Sequence, residues 1–312
     1  MDRAPVALWR HFPESDQTAD GLARAVLAWQ AAHDWDVVKV TPASGYPYED
    51  WGARFTYQPN DEGTRTVVER PVKAVDDWAQ IRPLDVWTGV LGRELHATRL
   101  IAEQLVGRAP CLQTVFSPST TAANLAGRDR FLNDLRQRPD AVRPALEAVT
   151  ETTVALARAF LEAGADGLFF ATQLAARSYL SEDEYRAVGE PYDRAVLDDV
   201  RGRTDFLLLH LHGDDIYFDL LAGYPVDAIN WHDRRTPPAL ADGQRRFNGC
   251  VVGGLDAAVL LHGHPEEVAA QARDAVRDTG GRRVMVGAGC VVPITTPEAN
   301  LRAARAAVDE MA

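Results

Sequence analysis

The sequence has few cysteines and lacks any long apolar run. Its three cysteines, Cys111, Cys250 and Cys290, are odd in number and far apart. This spacing argues against a disulfide framework and predicts a reducing, cytoplasmic location. No stretch approaches the roughly 18 apolar residues of a membrane-spanning helix. The apolar stretch near the N-terminus ends at Arg10, too soon for a signal peptide.

The sequence also lacks a basic tract. It has 33 basic and 45 acidic residues, for a formal net charge of −12. A chain with this charge repels nucleic-acid phosphates and anionic membrane surfaces, so we expect neither as a partner.

What is present is an ordinary globular composition, with 46% hydrophobic and 25% charged residues in a chain of 312. Strand-like apolar runs alternate with helical patterns, which predicts a parallel α/β sheet. We expect a single (β/α)₈ TIM barrel over residues 1–312, with an N-terminal extension and a β-hairpin insertion at about 53–73 after the first strand. An eighth strand is expected but has no clear pattern. The seven visible strands are predicted at Val37–Val40, Cys111–Phe116, Gly167–Ala171, Phe206–Leu211, Ala228–Trp231, Cys250–Leu255 and Arg283–Gly287.

Candidate metal ligands stand at the carboxyl ends of these strands, where a parallel barrel builds its site. His210 and His212 have the i, i+2 spacing that puts both rings on one side of a strand. With Cys290, which follows the last visible strand, they form a donor set that suits Zn²⁺ with an open fourth position. Further ligands or supporting groups are expected among the next polar residues, His232, Asp214, Asp215 and Asp233.

Purely structural roles remain open for the same residues. The two imidazoles can bond to neighbouring loops, and a buried cysteine often packs as a small hydrophobe. That interpretation is preferred for Cys111 and Cys250, which lie within apolar runs. His262 and His264 also have the i, i+2 spacing, but they lie in a stretch with Gly263 and Pro265 before a helix and are interpreted as a solvated loop.

Several blocks resemble the uroporphyrinogen decarboxylase superfamily in the same order along the chain. The C-terminal block, residues 287–301, has a Gly-rich strand end followed by Pro, Thr-Pro and Asn. Other matching blocks are residues 8–13, 114–118 with 124–127, 163–169 with 180–181 and 185–192, and 210–213 with 224–231. Membership implies a (β/α)₈ barrel and, by family resemblance, a dimer.

The superfamily includes two chemistries, and the residues favour one of them. Tetrapyrrole decarboxylases have two arginines in the N-terminal loop, an acid after the first strand and a histidine in the last Gly-rich turn. This sequence has Arg10 alone, no acid, and Ala288 at that histidine position. The other branch consists of zinc-dependent corrinoid/thiol methyltransferases with a His-x-Cys motif and a distant Cys. His210 and Cys290 match that motif, and His212 departs from it.

The resemblance therefore implies a Zn²⁺-dependent methyltransferase that activates a thiol or oxygen nucleophile for methyl transfer from or to a corrinoid, with a methyl-corrinoid on a partner protein as co-substrate. Decarboxylation of a tetrapyrrole or smaller acid, and non-catalytic corrinoid or tetrapyrrole binding, remain alternatives. Zn²⁺ is assigned to His210, His212 and Cys290, and catalytic roles to Arg10 and His232. Small-molecule substrate binding is assigned to five residues at the mouth: His11, Tyr46, Tyr48, Gln173 and Arg177.

Overall fold

The computed structural model describes residues 3–204 and 206–311, and its main feature is one parallel sheet. Seven strands follow the order β1-β4-β5-β6-β7-β8-β9. Their bounds are β1 (Val38–Val40), β4 (Cys111–Phe116), β5 (Gly167–Thr172), β6 (Phe206–Leu211), β7 (Ala228–Trp231), β8 (Cys250–Leu255) and β9 (Val284–Ala288). The strands are almost wholly buried, as their continuous apolar sequences require in a sheet covered on both faces. The predicted α/β class is confirmed.

The N-terminal segment lies between the two edge strands of this sheet. Val6 forms a parallel pairing with Val286 of β9. The backbone N–H of Ala7 donates to the carbonyl of Val286 at 3.0 Å, and the N–H of Asp36 donates to the carbonyl of Val6 at 3.0 Å. The segment thus links the last strand to the residues that precede the first one.

A hairpin follows β1 within the region predicted for it. Strands β2 (Arg54–Tyr57) and β3 (Arg65–Glu69) pair antiparallel. The turn between them closes on Asn60, whose side-chain amide donates to the carbonyls of Gln58 at 2.8 Å and Thr64 at 2.7 Å. These bonds satisfy backbone acceptors that a tight turn leaves free.

Helices connect the strands and pack around the sheet. None of those in the described ranges is long and apolar enough to cross a membrane. A 3₁₀ helix covers Val75–Gln80, and the α-helices are α1 (Ala19–His33), α2 (Tyr46–Glu49), α3 (Gly89–Leu105), α4 (Pro118–Ala126), α5 (Arg128–Gln137), α6 (Pro139–Glu162), α7 (Glu182–Val188), α8 (Glu190–Val200), α9 (Phe218–Leu221), α10 (Leu240–Arg246), α11 (Ala257–His262), α12 (Pro265–Asp278) and α13 (Glu298–Asp309).

The inner face of the sheet changes from apolar to polar toward the carboxyl ends of the strands. Leu208 and Ala228 belong to one buried apolar cluster with Phe169 and Val252. Two residues further along their strands, His210 and Asn230 are register partners. Because a strand has period two, these polar side chains continue the same inward-facing rows and end them at the mouth of the sheet.

Candidate metal centre

Three imidazoles and one thiol converge at the carboxyl ends of the strands. His210 is in β6 and His212 follows it, His232 follows β7, and Cys290 comes two residues after β9. One ligand atom from each of the four lies within 4.8 Å of the others. Ligand atoms around a tetrahedral zinc are ~3.3–3.8 Å apart, given bond lengths of about 2.0–2.3 Å. A small contraction of this cluster therefore suffices to hold an ion.

A glycine allows Cys290 to reach this cluster from β9. A Cβ at Gly289 would lie 2.7 Å from the backbone Cα of His232 and 3.1 Å from the carbonyl oxygen of Trp231. Any larger residue would therefore push the loop after β9 away from the end of β7. The close approach places Cys290 beside His212, with Sγ 3.8 Å from Nδ1.

Asn230 fixes which nitrogen of His210 faces the cluster. Its Nδ2 donates to the carbonyls of Val252 at 2.8 Å and Ala288 at 3.0 Å, so its Oδ1 is oriented as an acceptor. Nδ1 of His210 donates to that Oδ1 at 2.6 Å. The other ring nitrogen, Nε2, is then the unprotonated one in the neutral ring. It is buried and has no hydrogen-bond partner among the described residues, as is also true of Nε2 of His232.

The imidazoles also shift the titration of Cys290. Burial alone would raise the pKa of the thiol. The neighbouring imidazoles, among them His212 beside the sulfur, outweigh burial and hold the pKa well below its usual value. Burial lowers the pKa of His210, which favours its neutral ring. A neutral imidazole and a thiolate are the forms in which these residues bind metals.

The cluster opens into a cavity of about 220 Å³. Of the five residues predicted to bind substrate, His11, Tyr48 and Gln173 line it together with His210, His212 and Cys290. Burial, and secondarily the charge of Lys39, lower the pKa of His11 to about 4. Nδ1 of His11 is buried with no hydrogen-bond partner in the described part of the chain.

Other predicted site residues lie outside the cavity lining. The guanidinium of Arg10 donates to the carbonyl of Ile294 at 2.7 Å and lies against the rings of Phe12 and Trp29. Tyr46 donates its hydroxyl to the carbonyl of Thr114 at 2.5 Å. Arg177 lines a separate surface cavity.

The aspartates named as further ligands lie outside the four-residue cluster. Asp214 pairs with Arg235 at 2.6 Å on the surface. Asp233 accepts a hydrogen bond from the backbone of Gly254 at 3.0 Å. The carbonyl of Asp215 accepts from the N–H of Arg177 at 3.0 Å. Of the four candidates, the structure brings only His232 into the cluster.

Several polar residues of the cavity lining were not predicted, among them the charged residues Lys39 and Glu62. Lys39 lies in β1 and is 8% exposed. Its side chain lines the same cavity as His210 and Cys290. The signal was a single lysine inside the apolar run Val37–Val40. The sequence of so short a strand does not determine which face of the sheet that side chain lies on.

The strands of the sheet are parallel, and imidazole and thiol groups lie at their carboxyl ends. This arrangement is typical of α/β proteins that build their functional site at that end of the sheet. The chain belongs to the uroporphyrinogen decarboxylase (URO-D) family, whose model matches residues 2–311. The predicted membership is confirmed.

Relatives include both branches of that family. The methylcobamide:CoM methyltransferase MtbA of Methanosarcina mazei is 28% identical over 298 residues, covering 93% of this chain and 84% of the relative. A uroporphyrinogen decarboxylase of Syntrophotalea carbinolica is 28% identical over 247 residues, covering 76% and 68%. A solved structure of a methyltransferase from Methanosarcina mazei superposes with a TM-score of 0.87 at 21% identity and covers 100% of this chain and 95% of its own. The predicted closeness to the methyltransferase branch agrees with these matches.

Proposed function

We propose that this protein is a zinc-dependent methyltransferase that activates a small thiol or oxygen nucleophile for methyl transfer from a methyl-corrinoid. The observation that carries the proposal is the cluster of His210, His212, His232 and Cys290 at the mouth of the sheet. The methyltransferase names of several relatives support the reaction class. We infer that the corrinoid is carried by a separate protein.

The residues present fit a zinc ion. Three borderline nitrogens and one soft thiolate are the donors that Zn²⁺ favours. The buried Nε2 atoms of His210 and His232 would gain the partner that the protein does not provide. When bound, zinc supplies a Lewis acid that lowers the pKa of a thiol or hydroxyl nucleophile. His210, His212 and Cys290 would hold it and leave one position open for the nucleophile, with His232 beside that position.

The chain itself orients the site and excludes water from it. Asn230 holds His210 in the tautomer that presents Nε2, and such supporting bonds typically strengthen metal binding. Trp9, Phe116 and Phe169 form apolar walls, which strengthen electrostatic interactions by lowering the local dielectric. We further infer one barrel domain in which the Val6 segment takes the eighth-strand position and completes these walls.

The size of the cavity supports a small substrate. Its volume of about 220 Å³ is below the roughly 300–1,000 Å³ typical of pockets for drug-sized ligands. A tetrapyrrole with eight carboxylates would also need several cations, and Arg10 is bound to Ile294 outside the lining. We therefore assign Arg10 a positioning role, in which it holds the loop that follows Cys290.

The test combines metal analysis with a transfer assay. The purified protein is expected to bind about one zinc, and His212→Ala and Cys290→Ala are expected to lose it. Cys250→Ala, which changes a cysteine far from the cluster, should keep it. Consumption of methylcobalamin by a thiol, followed by absorbance, should depend on the metal in the same variants. Metal content that is unchanged in both ligand variants would show that the ligand assignment is wrong.

A further inference from the structure

Asp193 of α8 is a fully buried carboxyl group outside the metal cluster. The hydroxyl of Tyr185 donates to its Oδ2 at 2.5 Å, and the hydroxyl of Tyr224 donates to the same atom at 3.2 Å. Asp193 has no ion pair within residues 3–204 and 206–311, and the next residue, Arg194, pairs with Glu190 at 2.9 Å.

A carboxyl group in this position is costly to bury. Burial raises the pKa of Asp193 to about 7, even though hydroxyl groups that include Tyr185 and Tyr224 bond to the carboxylate. An apolar side chain of similar size would avoid this cost. It would not accept the two hydroxyls, so the specific contribution of Asp193 is to fix the positions of these two tyrosines.

Tyr185 connects Asp193 to the end of β5. A phenol has one hydrogen, and Tyr185 gives it to Asp193. The hydroxyl of Thr172, 3.0 Å from the oxygen of Tyr185, is therefore the donor in that contact. Phe169 and Ala171 belong to the inner apolar cluster. Because a strand has period two, Thr172 lies on the opposite face, toward the helices.

The backbone of Thr172 in turn holds His212. Thr172 is the last residue of β5 and is the register partner of Leu211 in β6. The N–H of His212 donates to the carbonyl of Thr172 at 3.0 Å. The following residue, Gly213, has a φ of +102°, in the left-handed region where the chain leaves the strand direction. The bond to Thr172 therefore ties His212 to the sheet just before the turn.

We propose that Asp193 and Tyr185 are positioning residues for His212 and that they act through Thr172. The network holds the end of β5 against α7 and α8, and the end of β5 holds the backbone of His212. This inference rests on the proposed function, because it takes His212 as a zinc ligand. Groups that fix a ligand from behind typically strengthen metal binding.

Zinc affinity, measured by competition with a chromophoric chelator, tests the network first. Tyr185→Phe keeps the ring and removes the bridging hydroxyl, and Thr172→Val removes the donor and keeps the carbonyl. Each should weaken zinc binding about threefold to tenfold, less than the loss of a group bonded directly to a ligand ring. Thr172→Ser keeps the hydroxyl and should bind zinc like the native protein. In the cobalt-substituted protein, the two weakening variants should also shift the visible absorption bands, which report ligand geometry.

Variants of Asp193 test its part in the network. Asp193→Ala should weaken zinc binding as Tyr185→Phe does, and Asp193→Asn, which keeps an oxygen acceptor, should restore most of the affinity. If Asp193→Ala does not fold, as judged by circular dichroism, Tyr185→Phe and Asp193→Asn carry this test. Weak binding in Asp193→Asn equal to that in Tyr185→Phe would then exclude a role for the acceptor oxygen.

Tyr217→Phe is the matched control. Tyr217 is also buried, and its hydroxyl donates to the carbonyl of Leu180 at 2.6 Å, outside the network. Loss of this bond should destabilise the fold to urea, as Tyr185→Phe does. It should leave the zinc affinity and the cobalt spectrum unchanged. Equal losses of zinc affinity in Tyr217→Phe and Tyr185→Phe would show that general destabilisation, and not positioning, is responsible.

Hydrogen exchange in the metal-free protein separates this proposal from the proposed function. Mass spectrometry with fragmentation follows the backbone amide of His212, which should exchange faster in Tyr185→Phe and Thr172→Val than in the native protein or Tyr217→Phe. If the native protein binds no zinc but this exchange result holds, the network still positions His212 and the zinc assignment is what fails. Unchanged exchange in both variants, or faster exchange with unchanged zinc affinity in a protein that binds zinc, would overturn the proposal.

Discussion

The two ends of the parallel sheet shift the pKa of a cysteine thiol in opposite directions. Cys111 and Cys250 are the first residues of β4 and β8, at the amino end, whereas Cys290 follows β9 at the carboxyl end. Burial raises the pKa of both Cys111 and Cys250 to about 12. The imidazoles around Cys290 overcome burial and hold its pKa well below the usual 9.0. The surroundings therefore disfavour the thiolate at the amino end of the sheet and favour it at the carboxyl end.

The difference lies in what each end offers as neighbours. Cys111 packs among apolar side chains that include Val38, Val40 and Ile101. Cys290 meets three rings, and two of them have a buried nitrogen with no protein partner in the ranges described. A buried polar atom without a hydrogen-bond partner lowers the stability of the fold. Such atoms are retained mainly where a bound ligand supplies the missing partner. The amino end of the sheet is thus packed with apolar side chains, and the carboxyl end holds the polar groups that lack protein partners, the end at which parallel barrels build their sites.

The largest expected difference between the two ends of the sheet is in the rate of cysteine alkylation. In zinc-free protein at pH 7, iodoacetamide should modify Cys290 at least about 100-fold faster than Cys111 or Cys250, because the thiolate is the nucleophile. The rate at Cys290 should persist as the pH falls toward 6, since its pKa is lowered. Peptide mapping by mass spectrometry measures each site.

Two controls define the result. Unfolding in guanidinium chloride should bring the three rates together, and zinc loading should protect Cys290. Modification of Cys250 as fast as Cys290 in the folded, metal-free protein would contradict the assigned environments.

The support of His210 is tested by Asn230→Ala. This variant removes the acceptor that fixes the ring of His210, and loss of such a partner typically weakens metal affinity about 10- to 100-fold. Asn300→Ala is a matched control, because Asn300 is also buried and donates to two carbonyls, those of Leu260 and Gly263. Competition with a chromophoric chelator measures zinc affinity. Equal affinities in the two variants would mean that Asn230 acts on stability alone.

Local patterns in the sequence were enough to place the strands. The predicted bounds of Cys111–Phe116, Phe206–Leu211, Ala228–Trp231 and Cys250–Leu255 coincide with β4, β6, β7 and β8. Buried parallel strands are short apolar runs bounded by polar or turn residues, so their limits are visible without knowledge of their neighbours. The i, i+2 spacing of His210 and His212 depends on the same local geometry.

Contacts between segments that are distant in the chain could not be predicted from local sequence patterns. Arg10 carries the charge expected of a substrate contact, but its direction is set by Ile294, far along the chain. Tyr46 is directed by the carbonyl of Thr114. The orienting bond of Asn230 to His210 depends on the register of two strands. Such positions follow from tertiary packing, which residue type and spacing do not determine.

The smallest expected effect belongs to the amino end of the sheet. Cys111→Ala removes a fully buried sulfur from an apolar cluster, so the free energy of unfolding should fall by about 1 kcal/mol. Zinc content and thiol binding should not change, because the side chain is at the opposite end from the cluster. Urea unfolding with unchanged m-values measures the loss. A change in zinc affinity larger than about twofold would mean that the two ends are coupled, and the contrast between them would then fail.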